Sequence, residues 1–204
     1  MARLLFTSRH YGSLDNPQTS DSAKQLSRLI GNPIYFMKQT HGNKIVVVDS
    51  QSSPNGAIYD GDAVVTDKPN VALAVQVADC LPLLLISKSV VAAVHVGRKG
   101  LLNKVAVAAL DQMKKLGADQ ISGVVGPHIC GECYEVDSQM YSQITKEYPA
   151  TGGKSNHLNL LAGLKDQLAK VEITSLGICT KENSDYFSYR KDATLGRQVG
   201  VISL

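Results

Sequence analysis

Hydrophobic positions in this chain gather into short, nearly continuous runs and seldom alternate with polar ones. Residues 44–49 (KIVVVD), 63–66, 71–77, 81–86, 90–96 and 123–125 are rich in Val, Ile and Leu. Continuous apolar runs of this length predict strands covered on both faces. Between and after them the spacing changes. Residues 20–30 place Ala23, Leu26, Leu29 and Ile30 on one side of a helical turn, with polar residues opposite. Residues 100–116 repeat Leu101, Val105, Ala108, Ala109 and Met113 and stop at Gly117, and residues 158–170 repeat Leu160, Leu161, Leu164 and Leu168. Both read as helices, the first with a glycine stop. Ser, Asn, Gly and Pro concentrate in 50–61 and 149–156, which read as loops. Neither loop divides regions of different composition, so 1–204 reads as a single domain. The fold class is α+β (mixed α/β): a layered domain with mixed β-sheets covered by helices.

Composition narrows the function classes. The chain is 44% apolar and 19% charged, with 17 Gly and 7 Pro, values of an ordinary soluble globular protein. Its net charge is only +3, aromatics make up 5%, and Trp is absent, so no nucleic-acid partner is expected. The most apolar stretch, 71–86, is interrupted by Gln76, Asp79 and Pro82, which predicts paired strands and no membrane span. The opening MARLLFTSRH lacks the apolar stretch of a signal peptide. A cytoplasmic location follows as the expectation, with Cys80, Cys130, Cys133 and Cys179 as thiols or metal ligands.

Three residues stand where chemistry is expected. His41 lies in a turn before a strong strand. Cys80 sits at the junction of two apolar runs, beside Asp79 and just before Pro82. A carboxylate in so apolar a run is costly unless it is paired or belongs to a site. His95 ends a hydrophobic strand and precedes the glycine-flanked basic turn Gly97-Arg98-Lys99-Gly100, which suits an anion at a helix start. Two imidazoles and one thiol at strand ends compose a metal site with one coordination position left open, the arrangement of catalytic zinc. His128, Cys130 and Cys133, with Cys179 in reserve, form a competing metal-binding or dithiol candidate.

The segments QTHG (39–42), GDAVVT (61–66), ADCLPLLL (78–85), AAVHVG (92–97), GPHI (126–129) with CYEV (133–136), and FSYR (187–190) with GR (196–197) occur in order along nearly the whole chain. Together with FTSRHYG (6–12), they resemble the YfiH-type family, long called laccase-domain or multicopper polyphenol oxidases and now described as zinc-dependent purine nucleoside phosphorylases. The resemblance implies Zn2+ on His41, Cys80 and His95, with purine nucleosides and phosphate as small-molecule partners. It implies phosphorolysis of adenosine, inosine, guanosine and methylthioadenosine, with adenosine deaminase activity besides. On that reading Asp79, or Asp62 after it, moves protons, and Arg9, Lys99 and Arg190 hold phosphate. Where the family usually reads HAGWRG, this chain has HVGRKG, so Arg98 replaces a Trp and Lys99 an Arg.

Three rivals stay open at the sequence level. Copper at the same residues would make a laccase-like polyphenol oxidase, although a full multicopper enzyme needs a histidine-rich trinuclear cluster and the five His are scattered. A metal-free cysteine hydrolase would use Cys80 as nucleophile and His95 as base. A binding module would keep its metal for structure alone.

Overall fold

The computed structural model describes residues 2–49, 52 and 58–204. It contains two β-sheets packed face to face, with helices outside each. The first sheet has the order β1 (Arg3–Phe6), β11 (Gln198–Ser203), β6 (Ala72–Val77), β2 (Ile34–Lys38) and β4 (Ile58–Asp60). The second has the order β10 (Glu172–Ser175), β9 (Ser122–Val125), β7 (Leu81–Ile86), β8 (Val91–Val96), β5 (Ala63–Thr66) and β3 (Ile45–Val47). Both sheets mix parallel and antiparallel pairs; β7 and β8 form an antiparallel hairpin, whereas β3–β5 and β2–β4 are parallel.

Alternation along each strand divides the core into three layers. Leu73, Val75 and Val77 of β6 meet Leu84, Val91 and Ala93 between the sheets. Ala72 and Ala74 point the other way, to α1 (Asp21–Ile30), whose Ala23 and Leu26 are buried there. Leu81, Leu83, Leu85, Val94 and Val96 face the remaining helices, chiefly α3 (Val105–Lys115) and α5 (Leu160–Gln167). Both faces of the central strands are therefore covered, which is why their sequences run apolar without alternating.

Several elements depart from the sequence reading. The helix expected over 100–116 is broken into α2 (Arg98–Leu102) and α3, with Lys104 left-handed at φ 58°. Neighbours take up the carbonyls at the break: Tyr148 Oη donates to Leu102 and Gln167 Nε2 to Leu101. The loop expected over 50–61 lies largely outside the described residues, and its end is strand β4. The loop over 149–156 holds one 3-10 turn at Pro149–Thr151. Further elements not expected are β1, β2, β10, β11, α4 (Ser138–Glu147) and α6 (Tyr189–Asp192). Among the described residues no helix is long and apolar enough to cross a membrane.

Candidate metal centre

Val91, Ala93 and His95 share one face of β8, and the first two lie between the sheets. His95 is the last residue of that row, so its ring emerges where the sheets part. Leu81, opposite Val96 on β7, directly follows Cys80, which brings the thiol to the same edge. His41 arrives from the turn joining β2 to β3, with left-handed backbone at φ 61°.

One nitrogen from each histidine and the Cys80 sulfur lie within 4.8 Å of one another. His41 Nε2 is 3.9 Å from Cys80 Sγ, and the two imidazole rings meet edge to face at 4.7 Å between centroids. Gly97 makes this convergence possible. A Cβ there would stand 2.9 Å from His41 Cδ2 and 3.0 Å from the Cys80 sulfur.

Asp62 organises the group from beneath. It is fully buried and accepts the backbone N–H groups of Thr40, His41 and Gly42 at 3.2, 2.9 and 2.7 Å, with the Thr40 hydroxyl at 3.1 Å. It also accepts from His95 Nδ1 at 2.9 Å. An ionised carboxylate only accepts, so Nδ1 carries a proton and Nε2 is the nitrogen turned to the shared centre. Burial works to raise the Asp62 pKa. The bond from His95 and those from the backbone N–H groups outweigh it and hold the carboxyl well below its usual range.

The same balance sets Cys80 and His95. Burial pushes the thiol up, but the charge of His95 and bonds from both imidazoles bring it down to about 6. Burial pushes the His95 imidazole down, whereas the Cys80 charge and Asp62 raise it to about 9. Two imidazoles, one of them oriented by a carboxylate, and a readily formed thiolate fit a divalent ion of the zinc or copper type, which on binding takes the place of the proton on His95 Nε2.

The group opens on a cleft of about 1010 Å³ lined by His41, Cys80, His95 and the arginines Arg98, Arg190 and Arg197, among others. The family described as multi-copper polyphenol oxidoreductase laccase matches residues 10–204. The chain belongs to this family. A Streptomyces griseus protein named purine nucleoside phosphorylase is 38% identical over 182 residues, covering 84% of this chain and 74% of that protein. One of the same name from Corynebacterium glutamicum is 34% identical over 205 residues, covering 93% and 83%. The solved Neisseria meningitidis protein of the DUF152 family superposes with a TM-score of 0.86 at 26% identity, covering all of this chain (100%) and 94% of that one. YlmD from Geobacillus stearothermophilus shares the fold, with a TM-score of 0.81 at 23% identity over 99% of this chain and 91% of its own.

The remaining candidates of this laccase-family chain are distributed unevenly. Asp79 lines the cleft, but both its oxygens are engaged: Oδ1 accepts from the Thr180 hydroxyl at 2.7 Å and Oδ2 from the Arg190 backbone N–H at 2.7 Å. Its backbone is left-handed at φ 100°. The carboxylate therefore ties the chain beside Cys80 to the C-terminal segment. Arg190 lines the cleft, with its guanidinium over the Tyr134 ring and donating to the Glu135 carbonyl. Arg9 lies outside the lining residues. It pairs with Asp192, donates to the Tyr186 carbonyl and covers Phe187.

Lys99 is exposed and also absent from the lining, while Arg98 is part of it. Successive helical residues point about 100° apart. Gly100 and Leu101 of α2 face the core, which leaves residue 98 for the cleft and residue 99 for solvent. From the sequence, both residues belong to a basic turn suited to an anion, with Lys99 as the phosphate candidate; the structure turns Arg98 to the cleft and Lys99 to solvent. His128 joins neither histidine. It is buried, with Nδ1 bonded to the Gly126 carbonyl at 2.8 Å.

Proposed function

We propose that this protein is a zinc-dependent purine nucleoside phosphorylase, with His41, Cys80 and His95 as the metal ligands. The observation that carries this reading is the convergence of the three donor atoms within 4.8 Å at the edge of a cleft lined by cations. The names of the Streptomyces and Corynebacterium relatives support the substrate class. Zinc, when bound, supplies Lewis-acid polarisation within the cleft. The chain does the rest. Asp62 fixes the His95 tautomer and the turn carrying His41. Arg98 and Arg190 hold phosphate against the ribose C1′ while the purine leaves, and Asp79 keeps the Arg190 segment in place. Among the described residues no hydrogen bond or ion pair engages Arg98, so its guanidinium is available to an incoming anion. Adenosine, inosine, guanosine and methylthioadenosine are the proposed substrates, with deamination of adenosine as a second activity.

A second reading has one observation in its favour. The lowered Cys80 thiol beside the raised His95 describes a nucleophile–base pair, as in a metal-free cysteine hydrolase. Copper-dependent phenol oxidation has less support, because among the described residues, which include all five histidines, only His41 and His95 share a potential metal group.

The test is to incubate pure protein with adenosine and phosphate and separate the products, with and without chelator. Adenine and ribose 1-phosphate, lost on metal removal, support the phosphorylase. Inosine formed without phosphate supports the deaminase. Activity that survives chelation but not thiol alkylation moves the assignment to the hydrolase.

A further inference from the structure

A second group of metal-ligating side chains lies apart from the first. Cys130, Cys133, Cys179 and Glu182 bring three sulfurs and a carboxylate oxygen within 4.8 Å of one another. They come from two arms. The turn at 130–133 is closed by the Cys133 and Tyr134 N–H groups, both donating to the Cys130 carbonyl at 3.1 Å. Gly131 lets that turn pack down, since a Cβ there would stand 2.8 Å from Asn159 Cβ. In the second arm the Asn183 N–H donates to the Cys179 carbonyl at 3.0 Å, one helix-like turn. That spacing sets Cys179 and Glu182 on the same side. A bridge between His128 and Cys179 joins the arms.

Three sulfurs and a carboxylate crowded this closely form thiolates only with a cation between them. The Cys130 N–H donates to Cys179 Sγ at 3.4 Å. Lys154, paired with Glu132, adds positive charge near Cys130 and Cys133. An N–H aimed at sulfur and a nearby cation are the kind of support that metal-bound thiolates use.

We propose that Cys130, Cys133, Cys179 and Glu182 form a second metal site that takes one zinc ion. Soft thiolates in majority select zinc over hard cations. Tetrahedral zinc, with Zn–S bonds of about 2.3 Å, sets neighbouring sulfurs about 3.8 Å apart, which the observed spread accommodates. An iron–sulfur cluster spreads its cysteines over several metal atoms and needs more room. Four protein donors close the coordination shell, so the site is structural. Its effect reaches the cleft. Ile129, just before the first arm, donates its N–H to the Asp79 carbonyl at 2.9 Å, and Thr180 of the second arm donates to the Asp79 side chain. Both arms thus grip the residue next to Cys80. The inference does not depend on the phosphorylase reading.

The test is zinc content by mass spectrometry of the full chain, expressed with zinc and purified under reductant. The wild type is expected to hold about two zinc ions per chain, and Cys130→Ser/Cys133→Ser about one. His41→Ala/Cys80→Ala should keep about one, since its remaining thiols all belong to the second group. That variant loaded with cobalt should show intense thiolate-to-cobalt absorption. This readout stands even if the Cys130→Ser/Cys133→Ser protein does not fold. A His41→Ala/Cys80→Ala protein with no zinc and no such absorption overturns the second site, as does a wild type whose Cys130 is found in a disulfide. If the His41→Ala/Cys80→Ala variant keeps every zinc ion that the wild type holds, the first site fails and the second stands.

Discussion

His95 Nδ1 and Asp62 Oδ1 face each other at 2.9 Å, and both residues are buried. Asp62 also gathers three successive N–H groups of the turn carrying His41. One carboxylate thereby positions two of the three proposed ligands, drawn from segments far apart in the chain. Burying it alone would be costly, and the ring and the turn together offset that cost.

Replacing this carboxylate with its amide tests the arrangement. In Asp62→Asn the amide group must set donor hydrogens against donors that now have no acceptor. Zinc affinity at the first site should fall about 10–100-fold, as for other supports of a metal-bound histidine. Competition against a chromophoric chelator measures it, best in the Cys130→Ser/Cys133→Ser background. Unchanged affinity would show that Asp62 supports the fold and not the metal.

Gly97 supplies a second test, by volume. Its φ is −83°, so alanine meets no backbone strain there. The added Cβ must instead displace the His41 ring or the Cys80 sulfur, at 2.9 and 3.0 Å. Gly97→Ala should remain folded by circular dichroism yet lose about 100-fold in phosphorolysis, the scale of a misplacement of about 1 Å. Full activity in this variant would mean that the three donors do not act together.

Much of this geometry is legible in the sequence, for physical reasons. Strands β5 and β7 match their expected bounds residue for residue because burial on both faces leaves a purely apolar signature. Cys80 and His95 stand out because they join or end apolar runs, and His41 because its turn leads into one. What stays hidden is set at a distance. The partners of Asp79 lie 101 and 111 residues further on, so its engagement leaves no local trace. Strand β11 pairs with β1 across almost the whole chain, and Gly200 within it makes room for the Phe6 ring. Helix α4 buries only Ile144, too little for a visible apolar stripe. The break at Lys104 depends on Tyr148 and Gln167, which no spacing within 100–116 reveals. Glu182 looks like any surface carboxylate until Cys179 is placed beside Cys130.

The basic turn separates Arg98 from Lys99. If Arg98 holds phosphate, Arg98→Ala removes a charge-assisted bond worth about 1.5–3 kcal/mol, or roughly 10–150-fold in the KM for phosphate. Lys99→Ala, on the solvent side, should change it less than about 2-fold, in line with the small effects of surface charges. Steady-state rates against phosphate concentration decide between them. Equal effects from both variants would take the phosphate away from the arginine.

The thiols differ in a way that metal-free protein should reveal. Cys80 is held down at about 6 by the imidazoles, while burial and their neighbours push Cys130 up and Cys133 up to about 12. A lowered thiol pKa means that the thiolate is present above it and lost as the pH falls through it. After chelation, iodoacetamide at pH 7 should label Cys80 first, at a rate that declines below about pH 6; an ordinary thiol would decline below about 8.5. Cys130 and Cys133 should react only in more alkaline solution. Adding zinc should suppress labelling of Cys80, because a metal-bound sulfur has its lone pair engaged. Peptide mapping by mass spectrometry at each pH reads all of these rates together. Labelling of Cys80 that follows an ordinary thiol's pH dependence, or that zinc leaves unchanged, would mean that the two imidazoles neither lower this thiol nor share an ion with it.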